Sequence, residues 1–322
     1  MQAELLVEVT RGEAVESVHF GHIAVVNAAG ELIDGRGAPG LPVYPRSAAK
    51  MIQALPLVRS GAAAARHLGT EQLALSCASH NGALIHTKPV ARWLAALELG
   101  DADLRCGPQM PDDRPAREGL IKADEAPCQL HNNCSGKHAG FLTLSKHLGA
   151  GTEYHEVDHP VQQAALAAWE EICDEETAGY GIDGCSAPNY RSSVTAMARA
   201  MAKFAAAPEG SAEAQLRDAM MAHPELVAGE GRACTELMRA AKGRAAVKTG
   251  AEGYFTAIIP GQGLGIALKV ADGTTRAAEC TMAALLVKYG VLDKDDPAVR
   301  KRAWTSETNR RNIEVGQIRP AF

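Results

Sequence analysis

Runs of β-type residues stand at both ends of this 322-residue chain, and alanine- and leucine-rich helical patterns fill its middle. This distribution constrains the fold more than any other feature. Near the start, LLVEVT (5–10) and HIAVVN (22–27) read as strands, and NAAGEL (27–32) reads as a turn. Late in the chain RAAVKTG, GYFTAIIPG and LGIALKVADG are short β-type runs separated by glycine turns. IEVGQIR (313–319) reads as a last strand or part of the tail. Between them, apolar spacing predicts a helix after Ser47, with Pro56 marking a bend or an end. Further helices are predicted over 87–99, 137–149, 159–175, 192–207 and 234–243, with one more at 276–290. Strands at both ends imply one sheet shared by the two chain segments. The expectation is therefore an α+β fold in a single unit, residues 1–322. Its antiparallel sheet would come from about 1–45 and 244–322, packed against a helical region of about 46–243.

Composition narrows the function. A hydrophobic share of 46% and a charged share of 22% are those of an ordinary globular protein with ample core. The formal net charge of -5, with no block of lysines or arginines, gives no support for nucleic-acid binding. No apolar run reaches the ~18 residues of a membrane span. The opening MQAELLVEVTRGEAVES lacks a basic start and an apolar core, so no signal peptide and a cytoplasmic location are expected. The eight cysteines form no CxxC pair, which excludes the usual zinc-ribbon and thioredoxin patterns.

Several short motifs carry chemistry. Ser47 and Lys50, three apart at a predicted helix start, would share a face. A serine hydroxyl is a weak nucleophile until a base takes its proton, and a neutral lysine amine is such a base. The same four residues also read as a helix cap followed by a surface lysine. Lys248-Thr249-Gly250 lies on a late strand, and Ser79-His80-Asn81 lies between the two. SxxK, then Ser-x-Asn, then KTG is the order found in serine β-lactamases and penicillin-binding proteins. The stretch HNNCSGKHAGF (131–141) sets Cys134 three residues before Lys137, and GIDGCSAPNY adds Asp183 and Cys185. Two thiolates and a nitrogen suit zinc, with His131 and His138 as the conventional nitrogen donors. Two buried cysteines beside a helix-start lysine is the other reading.

Taken together, the RSxxK segment, CASHNG, HNNCSGKHAGF, GIDGCSAP and VKTGAEG resemble the rhizobial-type L-asparaginases, the asparaginase II family. The resemblance implies a serine β-lactamase-like fold, a homodimer, and hydrolysis of L-asparagine to L-aspartate and ammonia. It implies two serine–lysine pairs, Ser47 with Lys50 and Ser79 with Lys248, and a zinc site on Cys134, Lys137 and Cys185. Arg46, adjacent to Ser47, is then a candidate to bind the substrate carboxylate, and Asp183 to accept from its ammonium or from a zinc-bound water. His138 either donates to the substrate or orients a metal ligand. The competing classes are a β-lactamase-like hydrolase of another amide or ester, such as glutamine or a penicillin, and a non-catalytic zinc protein on the same fold. GQGLG (261–265) precedes a strand and not a helix, so it reads as a hairpin turn and not a dinucleotide loop. Trp93, Trp169 and Trp304 read as packing residues.

Overall fold

The computed structural model describes residues 2–322. They fold as two compact units. One holds the chain up to Ala49 with Ser192–Ala206 and Glu236–Phe322. The other holds Lys50–Arg191 with Ala207–Thr235.

The first unit is built on an antiparallel eight-stranded sheet. Its strands are β1 (Glu4–Arg11), β2 (Ala14–Val26), β3 (Leu32–Arg36), β4 (Ala246–Thr249), β5 (Tyr254–Ile259), β6 (Leu264–Val270), β7 (Thr305–Thr308) and β8 (Glu314–Pro320). Seven of them run in the order β7-β8-β1-β2-β6-β5-β4, and β3 pairs with β2 off this path. The expected α+β fold, with one sheet made from both ends of the chain, is what forms. β1 lies between β2 (Val7 opposite His19) and β8 (Val7 opposite Pro320). The 13-residue β2 is shared: its first part pairs with β1, and its last residues pair with both β3 and β6. The NAAGEL turn joins β2 to β3, with Asn27 Oδ1 accepting from the Ala29 and Glu31 amides. Reading the sequence missed β3 and the first half of β2. VESVHF interleaves Glu16, Ser17 and His19 with its apolar residues, and much of that stretch faces solvent. The segment 261–265 closes the β5–β6 hairpin, as expected.

Two helices pack on this sheet. Val194–Ala206 lies against β2, β5 and β6. Gly265 of β6 makes the closest approach: a Cβ there would sit 2.0 Å from the Ala198 carbonyl oxygen. Thr275–Lys288 packs against β1, β5, β6 and β8.

The second unit is helical. Its main helices are α1 (Lys50–Arg59), α2 (Thr70–Ser76), α3 (Leu84–Ala96), α4 (Arg114–Ala123), α5 (Ser135–His147), α6 (Pro160–Cys173) and α7 (Ala212–Ala222). Helix α1 runs through Pro56 to Arg59 instead of stopping there, and its first eight residues are all buried. Burial on every side holds the helix across the hydrogen bond that Pro56 cannot donate. Helix α5 is likewise buried from Ser135 to Ser145. Glycines let it approach its neighbours: a Cβ on Gly136 would lie 2.4 Å from the Leu75 carbonyl oxygen of α2. Trp93 donates from Nε1 to Thr143 Oγ1 at 3.0 Å, and Trp169 stacks edge-on against Tyr190. Among the described residues all eight cysteines are free, and no helix is long and apolar enough to cross a membrane.

Two measurements test this account. Gly250 follows β4, and a Cβ there would meet the Pro45 carbonyl oxygen at 2.3 Å, whereas one on Gly261 would meet nothing. Gly250→Ala should lower stability by about 1–3 kcal/mol in chemical denaturation, while Gly261→Ala should not. Asp34 of β3 accepts from Lys288 Nζ at 2.5 Å and Tyr289 Oη at 2.9 Å. Burial raises its pKa, but these two donors outweigh burial and leave it below the ordinary carboxylate value. A depressed native pKa stabilises above the unfolded value and is lost as pH falls through the native one. The stability difference between wild type and Asp34→Asn should therefore be greatest at neutral pH and shrink on acidification.

Candidate active site

In the sheet unit the motif residues meet at the β4 edge. Lys248 stands on β4 opposite Thr256 of β5 and is fully buried. Its Nζ donates to the Thr249 carbonyl at 2.9 Å. Ser47 lies on a single 3-10 turn, Arg46–Ala49. That turn is tied to the sheet because Thr256 Oγ1 donates to the Ala48 carbonyl at 3.0 Å. The missing side chain of Gly250 allows the Pro45 carbonyl to press against the strand end, so the KTG glycine is required by packing. Arg46 opens the turn at φ +52°, a left-handed backbone for a non-glycine residue, which costs roughly 1–3 kcal/mol. Strain of this kind is held where surrounding structure fixes a side chain's direction.

In the helical unit the central group is Lys50, the first residue of α1, only 1% exposed. Its Nζ donates to the Ala78 carbonyl at 2.5 Å, to Ser79 Oγ at 2.8 Å and to Cys134 Sγ at 3.1 Å. A buried ammonium is tolerated only when its hydrogens are so engaged. Ser79 is itself fixed, its amide donating to the Val227 carbonyl at 2.9 Å. The next residue, His80, accepts the Gly82 amide at Nδ1 and so carries its proton on Nε2, 3.0 Å from Ser135 Oγ. Burial, the nearby His86 and Lys50 push the His80 imidazole well below its ordinary value, so it is neutral.

The thiols converge beside this lysine. Cys134 caps α5, and its amide donates to Asn132 Oδ1 at 2.8 Å. Lys137, one turn on, donates to Cys185 Sγ at 3.1 Å. A hydrogen bond between the two thiols, with Lys137 close by, holds the Cys185 thiol well below its usual range. The same bond, with burial, holds Cys134 well above it. Burial alone would depress the Lys137 ammonium, but Cys185, Cys134 and Asp183 outweigh burial and leave it raised. Asp183 sits on the turn before Cys185, with Oδ1 accepting the Gly184 amide at 2.7 Å. His138 is fully buried, and burial takes its pKa down to about 4, with Cys185 opposing the fall. Its Nδ1 bonds Tyr154 Oη at 2.8 Å, and its Nε2 has no hydrogen-bond partner.

Within the helical unit, then, the fold assembles Lys50, Ser79, Cys134, Lys137, His138, Asp183 and Cys185, while Arg46, Ser47 and Lys248 stand together in the sheet unit. Among the described residues no three His, Cys, Asp or Glu side chains gather into a metal-binding group, so the implied zinc set depends on Lys137. The donor chemistry fits zinc. Two sulfurs and an amine converge in a dry setting, one sulfur is already biased to thiolate, and a neutral imidazole nitrogen lies unpaired beside them. Reading the sequence missed Tyr154, which orients His138 and accepts the Arg105 amide at 2.8 Å. It also missed Asn132, whose Nδ2 reaches the Cys106 and Gly107 carbonyls. The doubled asparagine ahead of Cys134 was the signal that could have found the second of these.

The sequence profile of L-asparaginase II matches residues 7–320. No curated protein sequence matches the chain. Among solved structures it is similar to the protein called Mglu in its native form, at 13% identity and a TM-score of 0.51, over 90% of this chain and 69% of that one. It is also similar to a β-lactamase from Mycobacterium bovis, at 14% identity and a TM-score of 0.44, over 84% of this chain and 94% of that one. At these identities the structures speak to the fold alone, whereas the profile spans nearly every residue that builds the two halves just described. The chain belongs to the L-asparaginase II family.

Proposed function

We propose that this protein hydrolyses L-asparagine to L-aspartate and ammonia through a serine ester. Two things support the reading: family membership over nearly the whole chain, and a buried lysine spent on a serine hydroxyl, Lys50 Nζ to Ser79 Oγ at 2.8 Å. The second carries the mechanism, because it sets a lysine nitrogen within proton-transfer distance of a serine hydroxyl.

Lys50 first gives up one proton of its ammonium to solvent water; Ser47 Oγ then attacks the side-chain amide carbon as its own proton passes to the resulting amine. The tetrahedral oxyanion, held by backbone N–H groups, collapses. The C–N bond breaks, and ammonia leaves with a proton returned through the Lys50–Ser79 hydrogen bond. Water then attacks the β-aspartyl ester, giving its proton back along the same groups, and aspartate departs as Ser47 regains its hydrogen. Lys248 shares the relay as general acid and base with Ser79. Arg46 takes the substrate carboxylate with two parallel N–H donors, and Asp183 takes the ammonium. His138, neutral and unpaired at Nε2, is available as a donor to the substrate or as an orienting group for the thiols.

Cys134, Lys137 and Cys185 would hold one zinc per chain, with Lys137 binding as the free amine. Bound there, the ion would supply Lewis acidity toward water or substrate. The proposal includes a homodimer in the cytoplasm. Glutamine or another amide as the true substrate is the second reading, since the serine–lysine groups act alike on both.

Ser47→Ala should lower ammonia release from asparagine by at least about a thousandfold, and Ser79→Ala by about a hundredfold or more. Near-normal turnover in Ser47→Ala would transfer the nucleophile's role to Ser79. Elemental analysis should find zinc in the purified wild type and none in Cys185→Ala. Full activity after complete chelation would make the metal structural.

A further inference from the structure

We infer that His80 is a positioning residue for the proposed reaction: it bonds the residues on both sides of Cys134 and so holds Ser79 Oγ against Lys50 Nζ. The inference rests on the serine–lysine reading above and adds a residue to it.

Lys50 Nζ meets Ser79 Oγ and Cys134 Sγ at once, at 2.8 and 3.1 Å. Neither acceptor sits inside a helix: Ser79 follows the end of α2, and Cys134 precedes the first residue of α5. Helix geometry alone therefore does not fix their spacing. His80, the residue after Ser79, fixes it twice. Its backbone amide donates to the Asn133 carbonyl at 3.1 Å. Its ring Nε2 lies 3.0 Å from Ser135 Oγ. Asn133 and Ser135 are the residues immediately before and after Cys134.

Each hydrogen in this clamp has one direction. The Gly82 amide donates to His80 Nδ1 at 3.2 Å, so Nε2 carries the ring hydrogen and donates it to Ser135 Oγ. Ser135 Oγ in turn donates to the Leu130 carbonyl at 3.0 Å. Both ring nitrogens are engaged by the protein, so His80 acts through Ser79 and does not itself exchange a proton with substrate. The ring face is held as well. His86 stacks on it with centroids 4.6 Å apart and planes 6° from parallel, and His86 Nε2 donates to the Glu225 carbonyl at 2.8 Å. His80, His86 and Ser135 are all buried, so water offers no ready substitute when one of these bonds is removed. A small shift of the loop would carry Ser79 Oγ off the lysine and slow the chemical step more than binding.

The test separates the two ring nitrogens. Glutamine keeps an N–H donor near the Nε2 position, whereas asparagine keeps only the acceptor near Nδ1. In steady-state ammonia release from asparagine, His80→Gln should stay within about threefold of wild type in kcat. His80→Asn should lose about tenfold to a hundredfold in kcat with KM changed less than about twofold. Ser135→Ala, which leaves the ring in place, should match His80→Asn, and the double variant should be no worse than either single one. Hydrogen exchange of the 77–82 segment reads the clamp without any turnover. Its protection should fall in His80→Asn and Ser135→Ala and hold in His80→Gln. A wild type that releases no ammonia from asparagine or glutamine would sink the serine–lysine reading, and the exchange comparison would still decide the clamp. Wild-type kcat in His80→Asn, a His80→Gln as impaired as His80→Asn, additive losses in the double variant, or protection unchanged throughout would each overturn the proposal.

Discussion

The Lys50 ammonium is the group on which the rest depends. It sits at the first residue of a helix buried on all sides, and it survives there because a carbonyl, a hydroxyl and a sulfur accept its three hydrogens. The three acceptors come from two places in the chain: Ala78 and Ser79 from just past the end of α2, and Cys134 from the cap of α5. Removing any one leaves a buried donor unmatched, with a penalty of about 1–3 kcal/mol or more. The close packing of α2 on α5 through Gly136 is what brings the acceptors together. The contact that packs the two helices is thus also the one that gathers the partners of Lys50.

Much of the architecture could be read from periodicity. The β-type runs ending at Val26 and beginning at Ala246 became strands, and the predicted helices formed within a few residues of their expected limits. What escaped was decided by tertiary context. β3 carries Asp34, Gly35 and Arg36, poor strand formers, and exists because β2 offers it an edge. Pro56 failed to end α1 because burial outweighed one lost hydrogen bond.

The motif residues were legible for a different reason. Each of these short patterns is weak alone, but several of them in one order along the chain stand out from an alanine-rich background. Their pairing was less legible. Three-residue spacing suggested that Ser47 and Lys50 share a helical face, yet Ser47 lies on a 3-10 turn and the α-helix starts only at Lys50. The same rule brought Cys134 and Lys137 together, and Cys134 does help to hold the Lys137 pKa raised, while the hydrogen bonds run from Lys50 to Cys134 and from Lys137 to Cys185. Partners 84 and 48 residues apart leave no local trace.

The position of β1 between β2 and β8 ties the sheet together across the sequence. On one side β1 meets β2, its neighbour in the chain, while on the other Val7 lies opposite Pro320, more than 300 residues away. Closing so long a loop is a separate entropic cost that the hairpin with β2 does not carry. The intervening helices draw on shorter-range contacts. Until β8 docks, one edge of β1 stays open, and an open edge is a template for pairing with another strand.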